Sequence, residues 1–211
     1  MLVRQPRRAL PVALGAATLF VAALLLANAG VPDYSHRIHP VALRGVAGMP
    51  FALLFNLLAF VLPGALLLWA GQRLRQALGV PGWSARIGIV LVQLSALAFA
   101  AQGLLPLHPN DADSLANRLH VLAWMLWWIA FVPGALLLAI GARRGIGFTL
   151  ACLIAGLLVP LVAVFAPIGV WVGLAQRVAY GLWFGWWLVA GGASANRASA
   201  SGRGSSSTAG R

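Results

Sequence analysis

The chain has no lysine, one cysteine and three acidic residues in 211 positions, and charged residues of every kind make up 9% of it. Soluble domains carry about a quarter charged residues, so this surface is too apolar to cover a water-soluble fold. The single cysteine, Cys152, excludes an intramolecular disulfide; inside an apolar run it reads as a small hydrophobe. The scarcity of acid leaves a net charge of +12, carried by 15 arginines. No basic groove interleaved with aromatics can be drawn, which argues against nucleic acid as a partner.

What is present is apolar bulk: 61% hydrophobic residues and a mean hydropathy of +0.89. A bilayer core about 30 Å thick needs roughly 20 apolar residues at about 1.5 Å each. Six stretches qualify: Leu10 to Ala29, Met49 to Gly71, Arg86 to Leu105, His120 to Gly141, Gly145 to Ala166 and Val170 to about Val189. Pro167-Ile168-Gly169 is the break between the last two. The first stretch imitates a signal peptide, with Arg4, Arg7 and Arg8 ahead of it, but exceeds the usual length of about 7–15 residues and reads as an uncleaved helix. The expected fold is therefore all-α: a polytopic membrane bundle of six transmembrane helices over residues 1–192, followed by a disordered Ser/Gly/Ala-rich tail over 193–211.

Arginine placement sets the expected orientation. With the N-terminus inside, eleven arginines fall on the cytoplasmic side, and Arg37, Arg44, Arg118 and Arg177 on the other. Both termini are then cytoplasmic, and Arg without Lys alongside abundant Ala and Gly suggests a GC-rich bacterial genome. The nine tryptophans read as interfacial belts, Trp124, Trp127, Trp128 and Trp171 outside and Trp69, Trp186 and Trp187 inside. A hairpin repeat is visible too: Pro63-Gly64-Ala65-Leu66-Leu67-Leu68 recurs as Pro133-Gly134-Ala135-Leu136-Leu137-Leu138, each followed by Gly and Arg (Gly71 and Arg73, Gly141 and Arg143).

All acidic residues and histidines fall in or beside the two outer loops: Asp33, His36 and His39 in the first, His108, Asp111 and Asp113 in the second, and His120 opening the fourth helix. Polar residues inside the spans lean the same way, namely Asn56, Gln102, Gln176 and Arg177. An arginine about 10 Å below a helix end costs about 2–3 kcal/mol to insert and normally faces the bundle with a partner; Asp111 and Asp113 are the expected ones. Asn56, Gln102, Asp111, His120, Gln176 and Arg177 are thus candidate ligand-binding residues for an anionic group or lipid head group. His39, His108 and His120 are candidate metal ligands, with a carboxylate and an open position for water. Two readings from different classes follow: a binding protein for a ligand or lipid head group, or a metal-dependent hydrolase or transferase acting on a lipid. No His-Glu-x-x-His motif is present, and the residues name no cofactor. Membrane lipids are expected partners, with a second membrane protein or a homo-oligomer also open.

The His-Pro end of the first loop (His39, Pro40), Asn56, the Pro106-x-x-x-x-Asp111 loop, His120 and the Gly173-x-x-Gln176-Arg177 step together resemble the bacterial membrane proteins of domain-of-unknown-function family 998. The resemblance spans about residues 10–190 and implies six helices in a bacterial inner membrane, without an activity. Two departures stand out: Ala42-Leu43-Arg44-Gly45 where such proteins often carry Ser-Glu-Leu-Gly, and Gln176-Arg177 where many show Glu-Arg.

Overall fold

The computed structural model describes residues 9–28, 31, 33–79, 82–111, 113–165 and 171–204, the last eleven as backbone only. All regular structure among them is helical. The elements are α1 (Ala9–Leu25), a 3₁₀ turn (Val41–Gly45), α2 (Ala52–Leu78), α3 (Trp83–Leu104), α4 (Leu115–Gly141), α5 (Ile146–Phe165) and α6 (Val172–Gly204). Four of them, α2 to α5, are long and apolar enough to cross a membrane, at 27, 22, 27 and 20 residues. Helix α1 is shorter at 17 residues. Helix α6 is diluted by Gln176, Arg177, Tyr180 and its tryptophans, yet much of its middle is buried. Tyr180 and Trp183 are 0% exposed, so little of that stretch has to satisfy lipid. The backbone of α6 stays helical to Gly204, past the end expected near Val189; residues 205–211 and the Pro167-Ile168-Gly169 break lie outside the described residues.

Each helix packs on its neighbours in chain order, and α6 closes back on α1. Short loops between apolar helices favour such antiparallel neighbours. Helix α3 is held most closely, between α2 and α4. A Cβ on Gly64 would stand 2.6 Å from the Cβ of Ala100, and one on Gly71 would stand 2.7 Å from Cγ of Gln93. From α4, a Cβ on Gly134 would stand 2.9 Å from Cγ1 of Val92, and one on Gly141 would stand 2.7 Å from the Ala85 amide nitrogen. Both Pro-Gly copies thus present glycines seven residues apart to the same helix, in antiparallel register, and let the backbones approach as only small residues permit. Equivalent tandem hairpins would have set Gly64 against α1, as Gly134 is set against α3. The repeat holds in spacing and not in packing partner.

Pro63 follows a π-helical segment, Leu57–Val61, and a second one, Leu161–Phe165, follows Pro160. Proline lacks the amide that would bond one turn back, and wide turns beside it accommodate the loss.

The tryptophans depart from the belt expected of them. Trp127, Trp183, Trp186 and Trp187 are at most 2% exposed, inside an aromatic core with Phe20, Phe60, Phe99, Phe131, Tyr180 and Phe184. Trp127 lies 4.7 Å from Tyr180, and Phe99 lies 4.8 Å from Trp183, ring centre to ring centre. Alanine and glycine leave wide gaps between backbones, and large rings at tilted and edge-on angles fill them. Trp69, Trp83 and Trp171 remain outward, at 48%, 71% and 42% exposed.

Candidate functional site

The loop between α1 and α2 lies across the first turn of α6. Gly173 makes this possible: a Cβ there would stand 2.5 Å from the carbonyl oxygen of His39 and 2.8 Å from that of His36. With the chains in contact, the amide of Leu174 donates to the Arg37 carbonyl at 3.0 Å. One turn on, Gln176 Oε1 accepts from the Val41 amide at 2.7 Å. Arg177 Nη1 donates to the His39 and Gly173 carbonyls at 2.9 and 2.8 Å, and Nη2 donates to the Tyr34 hydroxyl at 2.6 Å. Arg37 covers the Trp171 ring at 3.7 Å. The Gly-x-x-Gln-Arg step is therefore a clamp on loop backbone.

This corrects the pairing expected for Arg177. No carboxylate among the described residues reaches it. Asp113 stands 3.9 Å from Arg118 in a well-hydrated pair, and Asp111 is exposed. Hydrogen bonds to a buried cation are worth about 1.5–3 kcal/mol each, so three neutral acceptors suffice to offset its insertion cost.

The other polar residues expected to face a ligand also anchor loops. Asn56 is 5% exposed and donates from Nδ2 to the Gly45 carbonyl at 2.9 Å; a Cβ on Gly45 would overlap its Oδ1. Arg44, 2% exposed, ties the same turn to α1 through the Ala27 carbonyl and to α2 through that of Pro50. His120 Nδ1 lies 2.8 Å from the Leu105 carbonyl at the end of α3. Gln102 accepts at 2.7 Å from the Tyr180 hydroxyl deep in the bundle. In the second loop Ser114 caps α4 through the Asn117 amide, and Asn117 Nδ2 donates to the carbonyls of His108 and Asp111 at 3.0 and 2.8 Å.

The metal set does not assemble. Among the described residues no three His, Cys, Asp or Glu side chains come together in a way that could hold a metal ion. His39 sits against the first loop, His108 is exposed in the second, and His120 is turned to the α3 terminus. Spacing in sequence cannot reveal this, because the rings of His39 and His120 follow backbone partners that the fold brings to them.

What the two loops do form between them is an open pocket of about 400 Å³ lined by Val31, Asp33, Tyr34, His39, Leu43, Val46, Met49 and Pro109. The Ala47 amide donates to the Leu107 carbonyl at 3.0 Å and joins the loops beside it. Tyr34 is 5% exposed, and burial holds its phenol above the ordinary value of 10 while Arg177 pulls it back. It stays protonated and accepts from Arg177. The rings of His36 and His39 flank Tyr34 at 5.4 and 5.6 Å. His39 Nδ1 accepts from the Ser35 amide at 3.0 Å, which puts the proton of a neutral ring on Nε2. Of the residues singled out from sequence, Asp33 and His39 line this cavity. Tyr34 was missed; its position between Asp33 and two histidines was the available signal.

No family model, curated protein or solved structure matches the chain.

Proposed function

We propose that the chain is an integral membrane protein that binds a polar ligand or lipid head group in the cavity between its first two histidine-bearing loops. The observation that carries this is the cavity itself. Apolar walls surround a ring donor, His39, over a Tyr34–Arg177 floor, and the exposed carboxylate of Asp33 also lines the space. Concave, mostly apolar sites with a few fixed polar groups are the usual form of ligand pockets. Asn56, His120, Gln176 and Arg177 support the site by fixing the loops that form it, while Gln102 joins α3 to α6 below it. With no metal cluster among the described residues, the hydrolase reading gains no support from the geometry. Placement in family 998, in a bacterial inner membrane with both termini cytoplasmic, rests on the motif residues and the arginine distribution. The shared motif would then be a loop scaffold.

The test is binding by detergent-purified protein. A compound carrying the complementary head group should raise the melting temperature of the native protein. It should leave Met49→Trp, which fills the cavity, unmoved. Equal shifts in both would remove the cavity as the site.

A further inference from the structure

A second pocket lies between the start of α2 and the end of α3. It measures about 600 Å³ and is lined by Met49, Phe51, Asn56, Leu57, Gly103 and Pro106 among others. That volume falls in the range of about 300–1,000 Å³ common for small-ligand sites. Its rim is apolar and outward: Leu53 is 73% exposed, Phe51 68% and Leu104 66%. Both helices are long and apolar enough to cross a membrane, so a rim of this kind suits acyl chains and not water.

Asn56 is the one polar side chain in the lining. It is 5% exposed and ends the first five residues of α2, about 6 Å below the helix start at about 1.5 Å per residue. The two ends of its amide differ. Nδ2 donates to the Gly45 carbonyl at 2.9 Å. Nothing among the described residues donates to Oδ1, and that oxygen is not sealed in: it stays within reach of the pocket. The absent side chain of Gly45 leaves it that room. An acceptor left unbonded where lipid replaces water is costly, so Oδ1 calls for a donor.

The rest of the lining narrows the donor. No charged side chain borders the pocket, so an ammonium would find no carboxylate there and a phosphate no cation. An amide oxygen has nothing to give a ketone, quinone or ester, and Nδ2 is already spent on Gly45. The group that fits is an uncharged O–H on an apolar body.

Independently of the loop pocket, we propose that the α2–α3 pocket binds an uncharged lipid with a free hydroxyl, such as a diacylglycerol, whose O–H donates to Asn56 Oδ1 and whose chains lie over Leu53 and Leu104.

The experiment uses the full chain in phosphatidylcholine vesicles holding equal amounts of dioleoylglycerol and its acetyl ester, which has the same chains and a blocked hydroxyl. After extraction in detergent, native mass spectrometry reads the lipid retained. The native protein should keep the free alcohol over the ester by about three- to ten-fold, the scale of one hydrogen bond. Asn56→Ala should erase that preference. Ala52 lines this pocket and not the loop pocket, and Ala52→Phe puts a ring into the space. That variant should retain neither lipid, with an unchanged melting temperature as the folding control. A prenol of similar length, run in parallel against its own acetyl ester, tests the other common carrier of such a hydroxyl; its selective retention would support the same site. Equal retention of alcohol and ester by the native protein overturns the proposal, because the hydroxyl is then not read. So does a preference that survives Ala52→Phe, which places the lipid elsewhere. Retention of neither lipid also overturns it and leaves water as the donor to Asn56. Head-group binding in the loop pocket, read by melting temperature in Ala52→Phe, stands or falls separately.

Discussion

Arg177 donates to the main-chain carbonyl of His39 across 138 positions of sequence, and in doing so makes the first loop part of the sixth helix. The contact needs Gly173 one turn earlier, because any Cβ there would displace the His39 carbonyl. Arg177→Ala should therefore destabilise the protein by about 2–3 kcal/mol, the scale of hydrogen bonds to a charged group. Gly173→Ala should do comparable harm while leaving the arginine in place. Arg177→Lys should be intermediate, since a point charge cannot bridge two carbonyls and a hydroxyl as a planar fork does. Melting in detergent ranks the three, and faster protease cleavage between residues 31 and 50 locates the damage. A wild-type cleavage rate in Gly173→Ala would show that the loop is held elsewhere.

The sequence announced the helices well because membrane crossing has a blunt requirement, length of apolar run, that tolerates errors of a few residues. It also announced that Gln176 and Arg177 face inward, since an arginine at that depth has few alternatives. It did not announce their partners. Clamping a backbone leaves no mark on the clamped residues: Arg37, His39 and Val41 contribute amides and carbonyls common to every residue. The tryptophans were misread for a related reason. An indole suits a head-group interface and an Ala/Gly-lined interior equally, and only the neighbours across the bundle decide. Arg44 looked like a departure in a loop; its burial depends on carbonyls from α1 and α2 that no local pattern brings together.

Tyr180 and Gln102 form a buried pair whose members depend on each other. Tyr180→Phe leaves the Gln102 carbonyl oxygen unsatisfied and should cost about 1–3 kcal/mol. Gln102→Leu alone strands the hydroxyl at similar cost. The double variant removes both polar groups and should recover much of the loss, a coupling that a double-mutant cycle in detergent reads directly. Additive losses would mean that the bond contributes little.

Gly45 and Asn56 compete for one volume. Gly45→Ala puts a methyl on the Asn56 amide oxygen and should destabilise by about 1–3 kcal/mol, the range for overpacked sites. Against an Asn56→Ala background, with the amide gone, the same change should cost much less. Melting temperatures of the four proteins test this, and an equal cost in both backgrounds would place the strain in the turn's backbone.

His36 should make stability depend on pH. Burial first, and the Arg177 charge second, hold its imidazole below the ordinary value of 6.5. The fold therefore favours the neutral ring. The stability this contributes is present above pH 6.5 and is lost as pH falls through the depressed folded value. Melting temperature should decline on acidification below about 6.5, and His36→Gln should flatten part of that decline. A slope unchanged in the variant would show that His36 does not set the pH dependence.

The orientation expected from the arginines is open to a direct experiment, because the one native thiol is out of the way: Cys152 is 0% exposed. A cysteine replacing Asp113, a residue whose side chain is 95% exposed, marks the end of the bundle that carries the histidines. One replacing Gln72, exposed near the end of α2, marks the opposite end. Arginine on short loops resists translocation, and the orientation expected from sequence puts eleven of the fifteen on the Gln72 side. In intact cells an impermeant maleimide should thus label the Asp113→Cys protein and spare the Gln72→Cys protein, with both labelled after lysis. Labelling of Gln72→Cys alone would turn the molecule over and put the Asp33–His39 pocket on the cytoplasmic side.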